Sequence, residues 1–254
     1  MKPAIAFVSV AAVFAGVTAA GICLKKFIKP KKTNYNLPVN FTVTAHTGCE
    51  GRKDNSLESI SAGAAAGADI VEIDLHFMPD GTAVLSHDKP NNDSSGKIYP
   101  TLEDAFRVLS ELDVKMNIDV KSTDNISSVF PIAEKYGVAD KIFFTGVNED
   151  FVSAVKEGAP EISYYLNVSV DKSKKTDKNY ISSIVEKVKD CGAVGINLNF
   201  KGCSEELVDS FRKENLQVSV WTANKKSEML RCLSLSPDNI TTRYPSVILS
   251  LISD

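Results

Sequence analysis

Eight short β-rich runs, separated by stretches of helical periodicity, constrain this chain more than any other feature. The runs lie at 41–46, 69–75, 114–120, 141–146, 162–168, 193–199, 216–222 and 238–242. Between them, segments such as "SLESISAGAAAG" (56–67), "TLEDAFRVLSEL" (101–112), "ISSIVEKVKDCG" (181–192) and "SEELVDSFRKEN" (204–215) space apolar residues at three- and four-residue intervals. Thr101 with Asp104 and Ser204 with Glu206 read as helix N-caps, and Gly67 and Gly192 as helix stops. Strands that alternate with helices must return by crossovers, which builds a parallel sheet, and eight units favour closure into a (β/α)8 TIM barrel. A doubly wound open sheet is the alternative, but no GxGxxG follows an early strand. With 43% hydrophobic residues the chain can bury one sizeable core, so residues 41–252 are expected to form a single α/β domain.

Polar residues interrupt these runs at particular places. In "VEIDLHFMPDGTAVLSHD" (71–88), Glu72, Asp74 and His76 alternate with Val71, Ile73 and Leu75. Successive strand residues face opposite sides, so the three polar groups share one face. Pro79-Asp80-Gly81 then turns the chain, and a short second strand brings His87-Asp88 back towards it. The first run ends in His46, and the third carries Asn117, Asp119 and Lys121 on one face. Charged residues in a buried parallel strand are costly without partners or a metal. In a barrel, the C-terminal ends of the strands are where chemistry is done, and that is where these residues fall. Three carboxylate oxygens without a cysteine partner suit a hard cation, Mg²⁺ or Ca²⁺, better than zinc.

A different environment is expected before the barrel. Residues 4–24, "AIAFVSVAAVFAGVTAAGICL", form an uncharged apolar stretch long enough to cross a bilayer as one helix. The segment 1–32 therefore reads as an N-terminal transmembrane anchor, a cleaved signal segment being the rival reading. The flank "KKFIKPKK" places Lys25, Lys26, Lys29, Lys31 and Lys32 after the stretch. By the positive-inside rule, a single-pass membrane protein of this kind keeps its C-terminal domain in the cytoplasm. Residues 33–254 hold 23 of the 29 basic residues and all 32 acidic ones, a formal charge of −9. Such a domain is a poor match for nucleic acid, whose binding leans on phosphate neutralisation. The five cysteines show no paired spacing, which argues against a disulfide framework and suits a reducing compartment.

Taken in order, the polar motifs resemble those of the glycerophosphodiester phosphodiesterase family over nearly all of the chain from residue 41. The matching pieces are His46-Thr47-Gly48, Asp54-Asn55-Ser56, "GADIVEID" (67–74), Asp80-Gly81 and His87-Asp88. They continue with Asp119-Val120-Lys121, Trp221-Thr222 and Thr242-Arg243-Tyr244-Pro245. The resemblance implies metal-assisted hydrolysis of a glycerophosphodiester to an alcohol and glycerol 3-phosphate. It implies His46 and His87 as general acid and base, Glu72, Asp74 and Asp119 as ligands of a divalent metal, and Lys121 as a phosphate contact. Trp221, at the end of the seventh run, is expected to line the substrate pocket, and His76 to play a supporting part. Asn197 and Asn199 share a face at the end of the sixth run and are candidates to hold a glycerol hydroxyl. Two alternatives stand beside this reading: a lysophospholipase D-type activity on membrane lipid, and a catalytically weak, membrane-tethered binding module of the same fold.

The chain departs from the family pattern at four places. Thr47 stands for a phosphate-binding arginine, Asp54 and Asp119 for glutamates, and Arg243 for an aspartate. An Asp for a Glu keeps the charge and shortens its reach by one methylene, which a hydrated metal can absorb. A hydroxyl does not replace a forked guanidinium. The loop "TGCEGRKDNS" (47–56) offers Arg52 and Lys53, and Arg52 is expected to fold over the site and supply the missing charge, the alternative being that both are solvated.

Overall fold

The computed structural model describes residues 35–90 and 98–253 of the 254. The anchor expected over 1–32 lies outside the described residues; among those described, no helix is long and apolar enough to cross a membrane. Among the described residues of 33–254, nine strands form one sheet. They are β1 (Thr42–Ala45), β2 (Ile70–Phe77), β3 (Ala83–Leu85), β4 (Lys115–Val120), β5 (Ile142–Val147), β6 (Tyr164–Asn167), β7 (Gly195–Asn199), β8 (Gln217–Trp221) and β9 (Asn239–Thr242). All but β3 run parallel, each beside the next in chain order, and β1 pairs with both β2 and β9, so the sheet closes into an eight-stranded barrel. β3 is an antiparallel spur on β2, made by the Pro79-Asp80-Gly81 turn with Gly81 at φ 86°.

Among the described residues eight α-helices follow the strands: α1 (Leu57–Ala65), α2 (Leu102–Ser110), α3 (Val129–Lys135), α4 (Glu149–Gly158), α5 (Lys178–Cys191), α6 (Glu205–Lys213), α7 (Lys226–Leu235) and α8 (Pro245–Ser253). Their ends follow from local chemistry. Thr101 and Asp104 form a reciprocal capping box at α2, and Gly192 ends α5 in the left-handed conformation at φ 71°. At α6 the cap departs from the expected pair: Ser204 Oγ accepts from the Leu207 backbone N–H, one residue past Glu206.

Strand alternation divides the core in two. One set, including Val43, Ala45, Val71, Ile73, Ile118, Val220 and Ile240, is at most 1% exposed and packs in the main apolar core. α1 lies close on this set: a Cβ on Gly63 would stand 2.6 Å from Ala45 Cβ and 3.1 Å from Val71 Cγ1. The alternate set includes polar residues that bond to one another. Asn239 Oδ1 accepts from Thr42 Oγ1 (3.0 Å) and Thr44 Oγ1 (2.8 Å), while its Nδ2 donates to Ser219 Oγ (3.0 Å). Buried polar groups are tolerable only when satisfied in this way. The polar set continues towards the strand ends, where it becomes charged.

Candidate active site

At the C-terminal ends of the strands a cavity of about 420 Å³ is lined by His46, Glu72, Asp74, His87, Asn117, Asp119, Lys121, Thr145, Gly146, Asn148, Asn167, Asn197, Trp221 and Thr241, among others. Parallel register explains the assembly. β2 and β4 pair Glu72 with Asn117 and Asp74 with Asp119, so two carboxylates from one strand and one from its neighbour point into the same space.

Each carboxylate is held from one side. Glu72 Oε2 accepts the Thr47 backbone N–H at 2.7 Å. Asp74 Oδ2 accepts from Asn55 Nδ2 at 2.8 Å, and the Asp74 N–H returns a 2.9 Å bond to Asn55 Oδ1. Asn55 is in turn fixed by Thr47, whose Oγ1 accepts the Asn55 N–H at 2.6 Å. Lys121 Nζ lies 3.1 Å from Asp74 Oδ1 and 2.8 Å from Asp119 Oδ2. One oxygen is left over. Asp119 Oδ1 is buried and is the sole side-chain polar atom of its kind without a hydrogen-bond partner among the described residues.

Glu72, Asp74 and Asp119 each offer an oxygen within 4.8 Å of the others. Gathering three such groups is unfavourable. Burial first, then Asp74 and Asp119, pushes the Glu72 carboxyl well above the usual glutamate range. Asp119 is also raised, by burial against the opposing pull of Lys121. Burial pulls the Lys121 ammonium down, but Asp119 and Asp74 together outweigh it and hold it above the ordinary lysine value. One ammonium against three carboxylates leaves net negative charge in a recessed site. That donor set, all oxygen with one oxygen orphaned, fits a hard divalent cation.

The histidines differ in environment. His46 is largely buried beside Glu72, and its Nδ1 faces the Thr47 carbonyl at 2.8 Å. A carbonyl can only accept, so Nδ1 carries the proton and Nε2 keeps the lone pair. Burial lowers the pKa of His46, with Arg243 adding to the effect, so the ring is neutral at neutral pH. His87 stands out at the mouth, its side chain 70% exposed, with Nδ1 2.9 Å from Asp88 Oδ1. His76 is buried, accepts the Phe77 N–H at Nδ1 (3.2 Å), and does not line the cavity.

The remaining expected site residues divide. Trp221 lines the cavity and is 37% exposed. Asn197 lines it and donates to Asn167 Oδ1 at 3.0 Å, whereas Asn199 is exposed and accepts from the Lys201 N–H. Arg52 and Lys53 are exposed and absent from the lining. Asp54 also stands outside the lining, where it forms a forked pair with Arg243, Nη1 to Oδ1 at 2.6 Å and Nη2 to Oδ2 at 3.1 Å. Sequence reasoning missed Asn55 as the clamp on Asp74, and missed Thr145, Asn148 and Asn167 in the wall. Asn167 lies within a run and Asn148 two residues past the end of another, and nothing else in the sequence sets them apart.

The glycerophosphoryl diester phosphodiesterase family model matches residues 41–96 and 89–247, which is most of the barrel. The chain belongs to the glycerophosphoryl diester phosphodiesterase family. As a member, it is a phosphoric diester hydrolase. It is 22% identical over 247 residues to the glycerophosphodiester phosphodiesterase of Caldanaerobacter subterraneus subsp. tengcongensis, covering 83% of this chain and 97% of that one. It is 23% identical over 246 residues to the uncharacterized protein YqiK of Bacillus subtilis, covering 84% of this chain and 98% of that one. A solved Oleispira antarctica phosphodiesterase, in complex with its product sn-glycerol-3-phosphate, superposes with TM-score 0.67 at 20% identity, over 86% of this chain and 98% of that one. At that identity the superposition shows a shared fold. The phosphodiesterase family is in general divalent-metal dependent, in keeping with the carboxylate cluster.

Proposed function

We propose that this phosphodiesterase domain hydrolyses a glycerophosphodiester to an alcohol and glycerol 3-phosphate, with Glu72, Asp74 and Asp119 holding Mg²⁺ or Ca²⁺ and with His46 and His87 moving the protons. The observation that carries the reading is the orphaned Asp119 oxygen within a largely buried trio of carboxylates, in a cavity at the strand ends that His46 and His87 also line. A divalent cation held there by Glu72, Asp74 and Asp119 would supply positive charge for phosphate oxygens that gain charge during displacement. The rest falls to side chains of this chain. Lys121, already between Asp74 and Asp119, presents a fixed ammonium to the phosphate. His46, neutral because burial keeps it so, takes a proton at Nε2 from the glycerol hydroxyl next to the phosphate. His87, steadied by Asp88 and open to solvent, delivers a proton from Nε2 to the departing alcohol, which leaves towards the mouth. Water then opens the cyclic phosphate with the two proton roles reversed. Asn148, Asn167 and Asn197 give that wall neutral amides suited to glycerol hydroxyls.

Residues 4–24 and the lysines after them support a further reading, in which the domain works at a membrane, from the cytoplasmic side, on glycerophosphodiesters or lysophospholipids. One assay separates the possibilities. The full chain is incubated with a panel of glycerophosphodiesters and lysophospholipids, each with Mg²⁺ or Ca²⁺ and after exhaustive chelation. Glycerol 3-phosphate release that needs the cation is the expected result. Turnover unchanged by chelation would show that the carboxylates serve another purpose, and no turnover of any diester would favour a binding module.

A further inference from the structure

Thr47 stands where the family's arginine would be, and it is not a gap waiting to be filled. It is 2% exposed, and its hydroxyl and backbone N–H are committed to Asn55 and Glu72. A cation from the opposite end of the sequence lies against the turn that bears Thr47, where a Cβ on Gly48 would stand 2.5 Å from Arg243 Nη1. β1 and β9 are parallel neighbours with Ala45 opposite Thr242, so the next residues, His46 and Arg243, emerge side by side where the barrel closes. The two turns are stitched together: the His46 N–H donates to the Thr242 carbonyl at 2.8 Å, and the Glu50 N–H to the Arg243 carbonyl at 2.9 Å. The Arg243 N–H is anchored by Asn224 Oδ1 at 2.8 Å.

The side chain is held as well. Asp54 grips both terminal nitrogens of the guanidinium, and the pair lies directly on Gly48: a Cβ there would be 1.8 Å from Asp54 Oδ1 and 2.5 Å from Arg243 Nη1. Gly48, in the left-handed conformation at φ 73°, is thus the residue type that admits the pair against the turn bearing His46 and Thr47. A guanidinium has five N–H donors, and Asp54 takes two, leaving the others for a second anion. The guanidinium stands outside the cavity lining, as Asp54 does, but beside the turn that bears His46, and its charge acts across it, lowering His46 and itself being favoured by Glu72 and Asp74.

Resting on the phosphodiesterase reading above, we infer that Arg243, held by Asp54, is the second fixed cation for the substrate phosphate, moved from the strand-one turn to the end of β9. The chain has exchanged the positions of charge: a neutral Thr47 on one strand, a cation where the pattern has an acid on the adjoining one. Arg52, exposed on the loop, has no part in it.

The test is calorimetric titration of sn-glycerol 3-phosphate and of inorganic phosphate into the full chain at saturating Mg²⁺, with melting temperature measured alongside. Hydrogen bonds to charged groups set the expected scale, so Arg243→Ala should weaken both ligands by roughly 10- to 100-fold. Arg243→Gln, which keeps a donor for Asp54 and guards against a folding defect, should show a loss of the same order. Arg243→Lys should recover part of the affinity, and Asp54→Asn, which loosens the grip, should cost less than Arg243→Ala. Phosphate binding unchanged in Arg243→Gln, or lost in Arg52→Ala instead, would overturn the inference while leaving the hydrolase reading intact. Failure of the native chain to bind either ligand would sink that reading and this inference together.

Discussion

Glu72, Asp74 and His76 look equivalent in the sequence, and the structure separates them. The carboxylates face the cavity, whereas His76 is enclosed near the β2–β3 hairpin with its Nδ1 bonded to Phe77. If His46 and His87 carry the proton transfers, replacing either by Ala should lower turnover by about 10²–10⁴-fold without loss of the fold. His76→Ala should cost less than about tenfold, since positioned proton transfer is what that range measures and His76 does not reach the cavity. Initial rates on one glycerophosphodiester decide it, and a fully active His87→Ala would remove that residue from the mechanism. The residues that carry charge were legible because charge on a buried strand is conspicuous. Asn55 was not, because an amide in a loop gives no hint that it will bond both the side chain and the backbone of Asp74. In the sequence, Arg243 looks like a departure from a pattern and Arg52 like its remedy. The Arg243–Asp54 pair spans 189 positions, a separation at which sequence proximity misleads and barrel closure decides.

At the scale of elements, all eight parallel strands fall within a residue or two of the runs read from the sequence, and β3 follows the Pro-Asp-Gly turn. Period-two and period-3.6 patterns are properties of a strand or helix by itself, so they survive without knowledge of tertiary contacts. Irregularities are different. The β5–β6 register shifts between Phe144 and Val147, with Gly146 at φ 74°. That irregularity makes room for the site: a Cβ on Gly146 would stand 2.2 Å from Asp119 Oδ1 and 2.5 Å from the Val120 carbonyl oxygen. Nothing in "KIFFTG" distinguishes this glycine from a strand-ending one. Gly146→Ala is expected to destabilise the fold by roughly 1–3 kcal/mol through the backbone conformation alone. It should also displace Asp119 and weaken binding of a divalent cation. Chemical denaturation and a cation titration on the same protein check both effects, and a variant of native stability and affinity would show that the strand simply shifts aside.

For the molecule as a whole, barrel closure sets the first strand against the last, β1 against β9, and puts the site at the seam as well as at the strand ends. The barrel carries more acid than base, and its most concentrated negative charge is turned inward, at Glu72, Asp74 and Asp119. An inward acidic cluster without a cation is a burden on the fold, since burial and mutual repulsion hold Glu72 and Asp119 above their usual ranges. A carboxyl with a raised pKa keeps its proton to higher pH, and a binding cation must displace that proton. Affinity for the cation therefore rises with pH above the ordinary glutamate value near 4.5, and binding releases protons to the buffer. The measurement that bears most directly on the account is a calorimetric titration of Mg²⁺ and Ca²⁺ into the full chain at pH 5 and pH 8, with turnover followed across the same concentrations. One saturable cation is expected, bound more tightly at pH 8 than at pH 5, with proton release on binding at pH 5, where the raised carboxyls still hold protons. Half-maximal turnover should fall at the measured Kd, and binding and turnover should be lost together in Asp74→Asn. Turnover that persists in the chelated protein, or cation binding that Asp74→Asn leaves unchanged, would contradict it.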